Sequence, residues 1–198
     1  MTKDERLDRQ LAFVLEIDRL KQVRRQTLLT DRSRQENAAE HSWHMAVMAI
    51  LLAENARQED LDLLRVLQML VIHDIVEIDA GDTFCYDDEG RRDQRQREEA
   101  AADRIFGLLP EDQGAHIRAL WEEFEARETP EARFAAALDR LQPLLHNFTT
   151  AGLQWRIHGV TREKVIERNG VMKDGAPDLW RRARALIDEA VEKKHLSR

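Results

Sequence analysis

Residues 61–77 read Leu61-Asp-Leu-Leu-Arg-Val-Leu-Gln-Met-Leu-Val-Ile72-His73-Asp74-Ile75-Val76-Glu77. In the second half of this stretch apolar side chains occupy nearly every face of a helix, the pattern of an element surrounded by others rather than lying on a surface. Such a helix belongs in the middle of the fold. It runs directly into an imidazole and two carboxylates, and burying an ionised carboxylate beside an imidazole is costly unless a charge or a metal compensates.

Outward from this stretch the signals stay helical. Leu7, Leu11, Val14, Leu15, Ile17 and Leu20 follow helical spacing and predict a first helix that ends near Arg25. Residues 30–37 are polar and read as a loop, after which Asn37 and Glu40 have the spacing of a capping box that opens a helix to about residue 57. Gly81 and Gly90 bracket an irregular acidic segment that carries Thr83, Phe84, Cys85 and Tyr86. Further helices are predicted over 96–108, from Pro110, over 131–150 behind the N-cap pair Thr129-Pro130, from Thr161 to a stop at Gly170, and from Pro177. Ile117, Leu120, Trp121 and Phe124 share one face of the second of these, while Phe134, Leu138, Leu141, Leu145 and Phe148 are the expected buried face of the third. The predicted architecture is all-α, a single irregular bundle of about seven helices forming one domain over residues 1–198.

Composition agrees with that architecture and narrows the function. The 8 glycines and 4 prolines are about half of average usage, which favours helices over a sandwich or barrel. A chain of 198 residues buries roughly 70% of the surface its unfolded form exposes, enough to enclose a polar site. With 31 basic and 38 acidic residues the formal charge is −7, a poor basis for neutralising nucleic-acid phosphates. The basic stretch 91–97 is diluted by Asp93, Glu98 and Glu99 and reads as a solvated helix face. The apolar run 46–53 falls well short of the roughly 20 residues a membrane span needs. The charged N-terminus lacks a small-residue cleavage site, and the one cysteine, Cys85, supplies neither an intramolecular disulfide nor a thiolate zinc site. A reducing, cytoplasmic setting is the expectation, with no nucleic-acid or membrane partner.

The chemistry lies where apolar helices carry groups a core does not favour. Glu40-His41-Ser42-Trp43-His44 occupies the first turns of one helix, His73-Asp74 follows the central one with Glu77, Asp79 and Asp82 close behind, and Asp139 interrupts the apolar run 135–141 of a third. Taken singly, each has an ordinary explanation. A lone buried histidine is usually a hydrogen-bonded core residue, and a lone helical aspartate pairs with an arginine such as Arg133 or Arg140. Together they place imidazole or carboxylate on three apolar backgrounds in the order His, His-Asp, Asp. Nitrogen and oxygen donors without thiolate suit a divalent ion: manganese, cobalt, iron, nickel, zinc or magnesium. His44 reads as a packing or supporting residue rather than a ligand.

The Glu-His-Ser-Trp motif at 40–43, His73-Asp74 with Glu77 and Gly81-Asp82 behind it, and Asp139 within Ala-Leu-Asp-Arg-Leu resemble the HD-domain superfamily of metal-dependent phosphohydrolases, and within it the 5′-deoxynucleotidase branch. The resemblance runs from about Arg24 to Gly152 and Trp155. It implies the all-α HD-domain fold, a homodimer, and one divalent ion held by His41, His73, Asp74 and Asp139. It further implies that Glu77 and Asp82 act on the water and the leaving group, and that a basic residue near position 25 orients the phosphate. A phosphomonoester facing so many carboxylates needs a cation, and Arg25, Arg32 and Arg34 are the candidates, with Arg25 first as the end of the expected helix. Contacts around Asp82 and Thr83 are expected to select the sugar. The implied activity is release of phosphate from (deoxy)nucleoside 5′-monophosphates. A phosphodiesterase, a hydrolase of another phosphorylated metabolite, and a non-catalytic metal- or nucleotide-binding module remain alternatives.

Overall fold

The computed structural model of the chain describes residues 1–87 and 89–198; residue 88, inside the segment between Gly81 and Gly90, lies outside that description. Thr2 caps α1 (Lys3–Glu16) through a capping box with Glu5. A 3₁₀ stretch over Ile17–Gln22 leads into β1 (Arg24–Leu28), which pairs antiparallel with β2 (Gln35–Asn37), Arg24 opposite Asn37 and Leu28 opposite Gln35. Asn37 then caps α2 (Ala38–Leu52), with Glu40 as the reciprocal partner. Asp62 caps α3 (Leu63–Ile72), and a 3₁₀ stretch over His73–Val76 joins it to the single turn α4 (Glu77–Ala80). There follow α5 (Gln94–Phe106), α6 (Glu111–Ala126) and α7 (Pro130–Thr149), the last capped by Thr129 with Pro130 in its first turn. The chain closes with α8 (Leu153–Ile157), α9 (Arg162–Asn169) capped by Thr161, α10 (Met172–Gly175) and α11 (Pro177–Glu192).

The hub is α7, which packs on α2, α3, α6, α9, α10 and α11. Phe134, Ala135, Ala137 and Leu138 are fully buried on it, and small residues let neighbours come close. At Gly175 a Cβ would lie 2.1 Å from the Arg133 carbonyl oxygen, so only glycine permits that approach of α10 to α7. One hydrophobic core runs from Leu20 to Leu196 and includes Val66, Met69, Leu70 and Ile72 of α3. No described helix is long and apolar enough to cross a membrane.

The all-α prediction holds, but α3 is not enclosed on all sides as its apolar pattern predicts: Val66, Met69, Leu70 and Ile72 are buried, while Leu64 and Val71 are 66% and 47% exposed. Other details differ. Eleven helical segments are described where about seven are expected, because the turns α4, α8 and α10 are too short to show a period. The first helix stops at Glu16 rather than Arg25, since residues 24–28 find strand partners in 35–37, inside the stretch read as a loop. The apolar stripe of α1 stays exposed, with Leu11 at 51% and Leu15 at 75%. The second helix ends at Leu52, short of residue 57, and Leu145 on α7 is 36% exposed rather than buried.

Candidate functional site

Three elements deliver the ligand candidates. The capping box at Asn37 fixes the start of α2 and so sets His41 in its first turn, fully buried. His73 follows the last residue of α3, and Asp139 sits midway along α7. One nitrogen from each of His41 and His73 and one carboxylate oxygen of Asp139 lie within 4.8 Å of one another, a group that can hold a metal ion. Asp74 adjoins them, its Oδ1 2.8 Å from His73 Nε2.

The proton arrangement tests whether a cation fits. His73 Nδ1 lies 3.0 Å from the Leu70 carbonyl, which turns its buried Nε2 to Asp74 Oδ1, 2.8 Å away; burial alone would lower this imidazole, but Asp74 raises it above its ordinary range. His41 Nδ1 donates to Gln142 Oε1 at 3.1 Å, so its Nε2 lone pair faces Asp139 Oδ1 across 3.1 Å. The His41 tautomer is assigned from the partner of its opposite ring nitrogen. Burial, helped by Arg25, pushes His41 down to about 4. Burial alone would raise Asp139, but Arg140 and His41 hold it well below the usual carboxylate range. A neutral imidazole therefore presents its lone pair to an ionised carboxylate, which is repulsive unless a cation lies between them. Two imidazole nitrogens with carboxylate oxygens and no thiolate fit a divalent ion.

A buried polar network orients these groups. Gln142, one turn beyond Asp139 on α7, accepts from His41 and donates to Glu36 Oε2 at 2.8 Å. His146 Nδ1 donates to the Leu28 carbonyl at 2.9 Å, tying α7 to β1. His44 is half-buried, its Nδ1 3.4 Å from Gln142 Nε2, in the supporting position expected of it. Glu36 and Gln142 are absent from the residues singled out in the sequence. Gln142 carries a signal, being polar on the same apolar face as Asp139; Glu36 carries none, because strand pairing is what buries it.

Arg25 lies on β1, not at a helix end, and is nearly enclosed by acids. Its Nη1 donates to Asp74 Oδ2 at 2.9 Å and lies 3.4 Å from Asp82 Oδ1, while its Nε is 3.4 Å from Glu36 Oε1. Burial pushes Glu36 up to about 7 against the pull of Arg25, and pushes Asp82 up to about 6 in the same way. Glu77 is buried with Oε2 unpartnered, and burial reinforced by Asp74 raises it well above the usual range.

These groups open onto a cavity of about 530 Å³. His73, Asp74, Glu77 and Asp139 line it together with Arg25, Asp82 and Thr83. Arg127, Arg140 and Arg168 line it as well, alongside Phe84, Tyr86 and Trp155. Arg32 and Arg34 are not in this lining. Arg32 is exposed in a turn at φ 64°, and Arg34 is engaged on the surface by both oxygens of Glu40 at 2.9 and 2.6 Å. The stretch 91–97 is largely the solvated face expected of it: Arg91, Arg92 and Arg95 are exposed at the edge of the cavity they help line, and only Arg97 turns inward, to the Ala80 carbonyl, Thr83 Oγ1 and the Gly90 carbonyl.

The HD-domain family profile matches residues 17–180. Over 136 residues the chain is 32% identical to the human 5′-deoxynucleotidase HDDC2, a match covering 68% of this chain and 65% of that protein. The mouse protein of the same name is 31% identical over 136 residues, covering 68% of this chain and 66% of its own. The aligned part thus spans just under two thirds of these relatives. The crystal structure of a predicted metal-dependent phosphohydrolase from Magnetospirillum magnetotacticum superposes with a TM-score of 0.95 at 57% identity, covering 100% of this chain and 99% of that one. A conserved hypothetical protein from Pyrococcus furiosus, at 20% identity and TM-score 0.60 over 92% of this chain and 99% of its own, shares the fold. With histidines from α2 and the end of α3 meeting an aspartate of α7, and the family profile running from the first 3₁₀ stretch into α11, this chain belongs to the HD-domain family.

Proposed function

We propose that the chain is a divalent-metal-dependent phosphohydrolase that releases phosphate from (deoxy)nucleoside 5′-monophosphates. The observation that carries this reading is the convergence of His41, His73 and Asp139 beside a buried carboxyl, Glu77, that has an unpartnered oxygen and opens onto a cavity. In this reading His41, His73, Asp74 and Asp139 hold one ion, of manganese, cobalt, iron, nickel, zinc or magnesium. Bound there, such an ion polarises the phosphoryl group and lowers the pKa of a water molecule.

The remaining roles fall to side chains of the chain itself. Glu77, with a buried unpartnered oxygen in the cavity lining, is placed to take a proton from the attacking water. Asp82, at about 6, is placed to return a proton to the leaving alkoxide. Arg25, fixed by Asp74, presents its guanidinium to the phosphate oxygens, and Thr83 stands beside Asp82 where the sugar would lie. A cavity of about 530 Å³ falls in the range of small-ligand sites.

The chain works as one domain over residues 1–198 and as a homodimer. The apolar face of α2 formed by Trp43, Val47, Ile50 and Leu51, with Leu64 and Val71 of α3, supports the dimer because these side chains are exposed. The net charge of −7 and the single cysteine support a cytoplasmic enzyme without nucleic-acid or membrane partners. The test is a phosphate-release screen across nucleotides and simple phosphoesters, repeated over several divalent ions after chelation. Release from 5′-monophosphates that is lost on chelation and restored by metal is the expected result. Cleavage of diesters alone, or no release by protein that binds metal, would refute it.

A further inference from the structure

The cavity is lined by more positive charge than one phosphate requires. Arg127 ends α6, Arg140 follows Asp139 on α7, and Arg168 belongs to α9, so three separate helices bring guanidinium groups to one cavity. In each, Nε is buried and has no hydrogen-bond partner. Among the described residues neither Arg127 nor Arg168 has a carboxylate within ion-pair distance, and Arg140 has only Asp139, its Nη2 3.2 Å from Oδ2. Asp139 already faces His41. Asp87, on the neighbouring segment, accepts from the Glu89 and Gly90 amides through Oδ1 and forms no ion pair with any of the three.

A cluster of this kind is unfavourable as mere packing. Arginines without counter-ions ordinarily extend their heads into water, where repulsion is screened. Here burial brings Arg168 down to about 10 and Arg127 below the usual arginine range, with Arg140 repelling both. Arg127 also occupies a left-handed backbone position, φ 55°, that would favour glycine or asparagine.

We infer that Arg127, Arg140 and Arg168 form a second anion subsite in the cavity, which takes a phosphate group other than the one being cleaved. Guanidinium forks pair with two phosphate oxygens at once, and unpartnered Nε atoms are the donors such pairing uses. The inference rests on the phosphohydrolase reading only for the first phosphate, which is met by Arg25 and the His/Asp centre. The second phosphate has two possible sources: a further phosphoryl group on the substrate, as in a nucleoside 3′,5′-bisphosphate, or a separate inorganic phosphate. Phe84, Tyr86 and Trp155 in the same lining offer apolar surface for the base of such a nucleotide.

The experiment compares the metal-loaded wild type with Arg168→Gln and Arg127→Gln, each checked for folding by its thermal transition. Phosphate release is measured from deoxyadenosine 5′-monophosphate and from the 3′,5′-bisphosphate, and inorganic phosphate is titrated calorimetrically. A bisphosphate preference of tenfold or more in kcat/KM, lost in both variants while monophosphate turnover changes less than twofold, assigns the subsite to the substrate. No such preference, but a second equivalent of inorganic phosphate bound by wild type and lost in the variants, assigns it to a separate anion. Absence of both signals, or persistence of either in both variants, overturns the subsite. Because calorimetry does not depend on turnover, a protein that cleaves neither nucleotide would refute the monoesterase reading while the titration still decides the subsite.

Discussion

The acidic and the basic residues at and behind the cavity wall hold their charge in opposite ways. In the acidic set Asp74, Asp82 and Glu36 share one guanidinium, Arg25, and the two histidines are oriented by Gln142 and the Leu70 carbonyl. In the basic set Arg127, Arg140 and Arg168 come from three helices and have little to balance them but Asp139 among the described residues. The acidic set is organised by the fold itself, so its donors are already aimed before anything binds. The basic set is balanced by what enters.

Breaking the acidic set should have the largest effect. Asp139→Ala removes one of the proposed ligands and the carboxylate that His41 Nε2 faces. Metal affinity should fall by at least about 100-fold, beyond the range seen for outer residues, and phosphate release should disappear with it. Full metal content in the purified variant, measured by elemental analysis, would contradict the site. Glu77→Gln separates proton transfer from metal binding in the same wall: kcat should drop by about 10² to 10⁴ with metal content unchanged. An unaltered kcat would take Glu77 out of the chemistry.

Arg25→Ala probes the sharing itself. It leaves Asp74, Asp82 and Glu36 facing one another around an uncompensated site, and stability should fall by about 3–5 kcal/mol, read from denaturant midpoints. Arg25→Lys should recover part of the stability but little kcat/KM, because an ammonium lacks the planar fork. A smaller effect is expected from pH. Glu36 titrates at about 7 in the folded chain against an ordinary 4.5, so the folded state holds this proton more tightly than the unfolded one. Its contribution to stability is complete below pH 4.5 and is lost as pH rises towards 7, a total of up to about 3 kcal/mol. Glu36→Gln keeps the oxygen that accepts from Gln142 and should flatten the melting temperature across that window; an unchanged slope would assign the pH dependence elsewhere.

What could be read from the sequence was local. Asn37 with Glu40, Thr129 with Pro130, and Thr161 mark helix starts because a cap is a contact between residues three apart. The ligand candidates stand out because imidazole and carboxylate contrast with apolar neighbours along one helix. The hairpin 24–37 escapes this logic, since its strands exist through pairing with each other and through His146 reaching Leu28. The exposed stripe of α1 shows the converse: periodicity reveals an apolar face but not what covers it. Arg127, Arg140 and Arg168 are spread over 41 positions of chain and meet only through helix packing, so spacing gives no hint of them.

Arg97 gives the pocket a single point of leverage. One guanidinium holds the Ala80 carbonyl, Thr83 Oγ1 and the Gly90 carbonyl, thereby pinning the stretch that carries Asp82 at both of its ends to α5. A change at Arg97 would loosen the rim that carries Asp82 and Thr83, while His41, His73 and Asp139 keep contacts of their own to Gln142, the Leu70 carbonyl and Arg140.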